Sequence, residues 1–235
     1  MKKPALLNWP IDPAGGLARI AVPFPDFELV LAKPADPNRL LDELVAEECD
    51  HPARDLEDRI PYWAELWPSA VALSRELVVH PHWVRGKQVL EVGCGLGLPG
   101  IVAGKLGADS VRLTDLLPGA LRFARKNWEA NLSSPAEVHR MDWRRPRPDF
   151  AADVVLASDI AYEKRFFEYL PQAFRQLLQP GGMLLLSEPG REMAETFLQR
   201  LPEYGFSINS TISQGSWEGL AYEVQILQVK NNGRA

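Results

Sequence analysis

Three glycines, Gly93, Gly95 and Gly97, alternate directly behind the apolar run Val89-Leu90-Glu91-Val92. Lacking side chains, they let a ligand lie against bare backbone, and the helix that follows offers free N–H groups. Glu91 stands before the turn. Its carboxylate orders the loop or reaches a ligand's ammonium group through a water. Asp115, at the end of the next apolar run, can accept two hydrogen bonds from ribose hydroxyls, or cap the helix that begins near Pro118. Asp142 and Trp143 suit a third contact, in which the carboxylate accepts from an adenine amino group and the indole covers the ring.

Read two residues later, Gly95-Leu96-Gly97-Leu98-Pro99-Gly100 also satisfies the dinucleotide pattern G-x-G-x-x-G. That frame begins after the chain has already turned at Gly93, and it holds Pro99. The earlier frame, E-x-G-x-G-x-G, is therefore preferred, and an NAD(P)-dependent dehydrogenase is the lesser reading.

The elements that must position these groups follow from periodicity. Gln88–Val92 reads as a strand, Leu98–Leu106 as a helix and Ser110–Thr114 as a strand. Pro118–Asn131 is helical, Glu137–Met141 and Asp153–Ala157 are strands, and Glu163–Leu178 is a helix. Met183–Ser187 is a strand, Arg191–Leu201 a helix, and Phe206–Ile212 and Tyr222–Val229 are β-like. Alternating strands and helices predict parallel βαβ units with helices on both faces. The last two runs, joined by Ser213 to Gly219, predict an antiparallel hairpin at the sheet edge.

The proline-rich residues 1–60 read differently, as an accessory or cap segment to a domain over residues 61–235. Within them Phe27–Leu31 suits a short strand and Asn38–Glu48 a helix capped by Asn38.

Composition narrows the classes. The 235 residues carry 26 Lys and Arg against 31 Asp and Glu, a net charge of -5, which argues against a dedicated nucleic-acid binder. Two cysteines, Cys49 and Cys94, with four scattered histidines make neither a disulfide framework nor a metal clip. Lys2 and Lys3 are followed by no apolar run of the signal-peptide kind, and no apolar stretch is long enough to span a membrane. A cytoplasmic protein without membrane, metal or nucleic-acid partners is the expectation.

With these residues in hand, Glu91-Val92-Gly93-Cys94-Gly95-Leu96-Gly97 resembles motif I of the class I (seven-stranded) S-adenosylmethionine-dependent methyltransferases. Three segments are similar, more narrowly, to the family 16 methyltransferases, which include protein-lysine methyltransferases. They are Pro61 to Ala70, Gly95 to Gly100, and Ser158-Asp159-Ile160-Ala161-Tyr162, the last matching an acidic-x-x-aromatic motif after the fourth strand. The resemblance implies an α/β, doubly wound, Rossmann-like sheet of order 3-2-1-4-5-7-6 with strand 7 antiparallel. For the cofactor S-adenosylmethionine, it implies contacts from Trp67, Glu91, Gly93, Cys94, Gly95, Gly97, Asp115, Leu116, Asp142, Trp143 and Ser158. It also implies that Tyr62 and Trp63 stand nearer the substrate, and the expected catalytic pair is Asp159 and Tyr162. The implied acceptor is a protein lysine, with a small amine or pyridine as the alternative, and a monomer is favoured.

Overall fold

The computed structural model describes residues 16–50 and 56–231. The residues on which the signal-peptide expectation rests lie outside these. Two antiparallel strands come first, β1 (Leu17–Pro23) and β2 (Glu28–Pro34). Helix α1 (Pro37–Asp50), the short α2 (Leu56–Arg59), a 3-10 turn at Tyr62–Ala64 and α3 (Pro68–Val79) lead into the main sheet.

That sheet is built from β3 (Gln88–Val92), β4 (Ser110–Asp115), β5 (Glu137–Arg140), β6 (Ala152–Ser158), β7 (Leu178–Glu188), β8 (Phe206–Trp217) and β9 (Leu220–Asn231). Helices α4 (Leu98–Lys105), α5 (Pro118–Asn131), α6 (Leu170–Leu177) and α7 (Glu192–Arg200) lie in the connections. The strand order is β5-β4-β3-β6-β7-β9-β8. Counted from β3 this is the expected 3-2-1-4-5-7-6, and β9 runs antiparallel to both its neighbours. The order reverses at β3, which pairs in parallel with β4 on one side and β6 on the other. A crevice therefore opens at the carboxyl ends of β3 and β6, where open α/β sheets bind their ligands.

Alternation along the strands feeds two cores. Val89, Leu113, Val154 and Leu156 pack with α3, α4 and α5 on one face. Leu90, Val92, Val155 and Ala157 pack with α6 and α7 on the other, around the fully buried Phe174 and Phe197. Each such aromatic contributes about 1.5–3 kcal/mol by burial.

The β1–β2 hairpin joins the first core through Val22, Leu29 and Leu31. It is fastened to α5 by two asparagines. Asn127 accepts from Ala32 N (2.8 Å) and donates to Ala32 O (3.1 Å) and Leu96 O (3.0 Å), while Asn131 accepts from Val30 N (3.0 Å) and donates to Val30 O (2.9 Å). Asn127 is wholly buried. Its replacement by alanine orphans three buried backbone groups, and equilibrium urea unfolding should show a loss of about 3 kcal/mol. A loss below about 0.5 kcal/mol would mean that the three bonds add nothing net.

Several elements depart from the sequence reading, each for a local reason. Strand β1 was not foreseen, and Leu17–Pro23 pairs over its whole length with β2. Helix α1 is capped by Asp36, whose Oδ1 accepts from Asn38 N (3.1 Å) and Arg39 N (3.2 Å); Asn38 lies inside the helix, behind Pro37. The helix expected over Glu163–Leu178 is broken: Lys164–Phe166 forms a 3-10 turn, and Pro171 lets α6 begin only at Leu170. Strand β7 starts at Leu178, ahead of Gly181 (φ 77°). Strands β8 and β9 run on until only Glu218 and Gly219 separate them, both at positive φ (49° and 80°), the backbone a two-residue hairpin turn requires. Among the described residues no helix is long and apolar enough to cross a membrane.

Candidate active site

The glycine turn leaves β3 with Gly93, Gly95 and Gly97 all in the left-handed region (φ 65°, 52° and 84°), which side chains disfavour. Asp115, at the end of β4, clasps it: Oδ2 accepts from Gly95 N (3.0 Å) and Oδ1 from Leu117 N (2.9 Å). Burial pushes the Asp115 carboxyl up, against the pull of these amides. Beneath the turn, Glu91 is buried, and its Oε2 accepts from Gly100 N (2.9 Å). Gly100 permits this approach, because a Cβ there would lie 2.6 Å from Glu91 Oε2 and 2.3 Å from Leu113 Cδ2. Burial raises the Glu91 carboxyl to about 8.

A cavity of about 520 Å³ opens over the turn, within the range of about 300–1,000 Å³ usual for small-ligand sites. Gly93, Cys94, Gly95 and Gly97 form its floor, with Asp115 and Leu116 at one side and Ser158 at the end of β6. Asp142 and Trp143 line it beyond β5, where the Trp143 edge packs against Phe166 (centroids 5.1 Å apart) and closes on Gly93. Tyr62, Trp63 and Trp67 line it from the segment before α3. Trp67 Nε1 donates to Tyr62 O (2.8 Å), and the Tyr62 and Tyr162 rings meet edge-on at 5.4 Å. Asp159 and Tyr162 complete the wall after β6. Burial pushes the Tyr162 hydroxyl well above its ordinary value, so it stays protonated.

The structure modifies several of the expected contacts. Glu91 does not line the cavity; it underpins the loop, one of the two tasks open to it. The Trp63 ring turns away towards α5, packing on Phe123 (5.4 Å) and over Gly119, so its backbone rather than its indole faces Gly95. Asp142 already accepts from Arg144 Nε (2.9 and 3.0 Å). Burial raises the Asp142 carboxyl, but the Arg144 bonds outweigh it and hold the group below its usual value.

Sequence reasoning missed Arg191. Its Nε and Nη2 grip the two oxygens of Asp159, each at 2.7 Å, and the arginine lines the same cavity. The available signal was its place in Glu188-Pro189-Gly190-Arg191, just beyond the carboxyl end of a parallel strand. Asp58, paired with Arg144 (2.6 Å) and Arg165 (2.8 Å), was likewise unforeseen at the rim.

A doubly wound sheet with an antiparallel terminal hairpin, and a cavity over a glycine turn at its switch point, defines the class I S-adenosylmethionine-dependent methyltransferase fold. The chain belongs to the lysine methyltransferase family, whose pattern matches residues 61–204. It is 32% identical over 155 residues to the electron transfer flavoprotein beta subunit lysine methyltransferase of Xenopus laevis, covering 63% of this chain and 62% of that one. It is also 32% identical over 180 residues to the histone-arginine methyltransferase METTL23 of Mus musculus, covering 72% of this chain and 64% of that one. The chain thus spans somewhat less than two thirds of these relatives. In three dimensions it resembles the ribosomal protein L11 methylase of Lactobacillus delbrueckii subsp. bulgaricus, with a TM-score of 0.55 and 20% identity over 70% of this chain and 79% of that one.

The residues present fit S-adenosylmethionine. Bare glycine backbone provides room for a methionine moiety, and Asp115 retains acceptor capacity beyond its two amide bonds for a ribose diol. The apolar surfaces of Leu116, Met141 and Trp143 suit a purine. Replacing Asp115 by alanine removes these acceptors and unclasps the turn. Calorimetry should then show S-adenosylhomocysteine binding weakened by about 1–3 kcal/mol; an unchanged dissociation constant would move the ribose site elsewhere.

Proposed function

We propose that this chain transfers a methyl group from S-adenosylmethionine to the ε-amino group of lysine in a protein substrate. The observation carrying this reading is the convergence of Asp159 and Tyr162 with the glycine turn on one cavity. When bound, the cofactor supplies an electrophilic methyl group on a sulfonium.

The chain's own groups position and dry the site. Trp67, Asp115, Leu116, Asp142, Trp143 and Ser158, together with Gly93, Cys94, Gly95 and Gly97, are the residues that would hold the cofactor. Tyr62, Trp67 and Tyr162 narrow the entrance and exclude water. Asp159 orients the acceptor nitrogen by accepting a hydrogen bond, and Tyr162 shapes the channel beside it. Lysine must lose its proton before it can attack, at a cost of about 4–5 kcal/mol near pH 7. A dry cavity lowers that cost, because burial disfavours the ammonium form. In this reading residues 1–60 serve as an accessory segment to the catalytic domain of 61–235, and the protein acts as a monomer in the cytoplasm.

The similarity to a histone-arginine methyltransferase supports a second acceptor, the arginine guanidinium. Purified protein, tritium-labelled S-adenosylmethionine and a size-fractionated lysate separate the readings. Label on lysine in a discrete protein band supports the proposal, and label on arginine moves it to the second acceptor. Label confined to small molecules overturns the protein substrate. No label, with no cofactor-induced thermal shift, overturns the cofactor assignment.

A further inference from the structure

The carboxyl ends of β6 and β7 bring Asp159 and Arg191 together, 32 residues apart in sequence. The carboxylate is held by both oxygens, Oδ1 to Nε and Oδ2 to Nη2, the two-pronged geometry that makes arginine–carboxylate pairs strong. Backbone bonds fix both partners. Asp159 sits at φ 51°, unusual for a residue with a side chain, with its N–H donating to Ser187 O (2.9 Å). The Arg191 N–H donates to Glu188 Oε1 (2.8 Å). The Asp159 side chain is 8% exposed and that of Arg191 37%. Other ionisable groups near the pair are Glu188 on β7, Tyr62 before α3, and Tyr162 and Glu163 after β6.

An unpaired, nearly buried carboxylate would favour a protonated amine beside it, and a protonated amine has no lone pair with which to attack. The structure removes that conflict. We propose that Arg191 is a positioning residue that cancels the charge of Asp159 at the acceptor end of the cavity, so that the site admits the acceptor nitrogen as a neutral amine. The inference rests on the amine-methyltransferase reading above. Asp159 keeps lone pairs with which to orient an N–H, while the pair as a whole offers no net negative charge to hold an ammonium. A purely structural role for Arg191 would alter stability and leave the charge preference of the cavity untouched.

The test uses the full chain saturated with S-adenosylhomocysteine and two probes, N-acetyl-lysine methylamide and N-acetyl-norleucine methylamide. The second has a side chain of similar shape without the nitrogen. Protein-observed NMR titrations near pH 7.5 give the ratio of their dissociation constants. The wild type should bind the norleucine probe at least as tightly as the lysine probe. Arg191→Gln should shift the ratio at least about tenfold towards the lysine probe, and Arg191→Lys should restore the wild-type ratio. A ratio that moves by less than about threefold in Arg191→Gln overturns the proposal. So does a wild type that already prefers the lysine probe about tenfold, and that measurement decides alone if Arg191→Gln gives no cooperative melt. Because the titrations involve no methyl transfer, their failure is distinct from the failure of the labelling experiment to find methyl-lysine.

Discussion

Replacing Glu91 by glutamine should flatten a pH dependence of stability that the wild-type chain carries between about pH 4.5 and 8. Burial raises the Glu91 carboxyl from 4.5 to about 8, and its Oε1 has no hydrogen-bond partner. The folded state therefore keeps a proton that the unfolded chain releases above pH 4.5. The group's contribution is complete below that value, falls as pH rises, and reaches its minimum near 8. At about 1.4 kcal/mol per unit, the swing is at most about 5 kcal/mol. Glutamine can still accept from Gly100 N through its carbonyl oxygen, and it does not titrate. Urea unfolding at pH 5 and pH 8 reads the difference directly. Wild type and variant losing stability in parallel over this window would place the proton elsewhere, on Asp115 or Glu188, both of which burial also raises.

Asp159→Asn should lower turnover by about 100-fold or more while leaving S-adenosylhomocysteine affinity within about threefold. An asparagine keeps the size of the side chain but sets an NH2 group against the Arg191 guanidinium, where two carboxylate oxygens now accept. On the proposed reading, the orientation of the acceptor and the neutral pair are then lost together. The glycine turn is held by Asp115, not Asp159, so the cofactor end stays intact. Single-turnover rates measure the first effect and calorimetry the second. Unchanged turnover would remove Asp159 from the mechanism, and a parallel loss of cofactor affinity would make its role structural.

The glycine turn, the βαβ alternation and the carboxylates at the strand ends were legible in the sequence because each is set by residues a few positions apart. Gly93 to Gly97 must turn, Val89 to Val92 must be buried, and Asp115 ends a strand whose pattern is plain. What escaped depends on elements distant in sequence. Arg191 meets Asp159 only because β6 and β7 are neighbours ending level, with Ser158 opposite Ser187. The Trp63 indole was expected near the substrate, yet it finds Phe123 and the bare backbone of Gly119, a fit no local pattern records. Strand β1 holds Arg19 and Pro23 among its apolar residues, and only the partner strand makes it a strand. The turn at Glu218-Gly219 was within reach, since an acidic residue followed by glycine between two β-like runs is close to the usual hairpin signal.

Asn127 joins two processes that the topology keeps apart. Its amide donates both to Leu96 in the cofactor turn and to Ala32 in the amino-terminal hairpin. Opening of the hairpin would take two of the three hydrogen bonds that fix the Asn127 amide and leave the one to Leu96; if a bound molecule that orders the turn resists that opening, the opening weakens binding by the same factor, because coupling between two sites is reciprocal. Through one side chain, a hairpin outside the main sheet and distant in sequence from the glycines is thus fastened to the same amide as the turn.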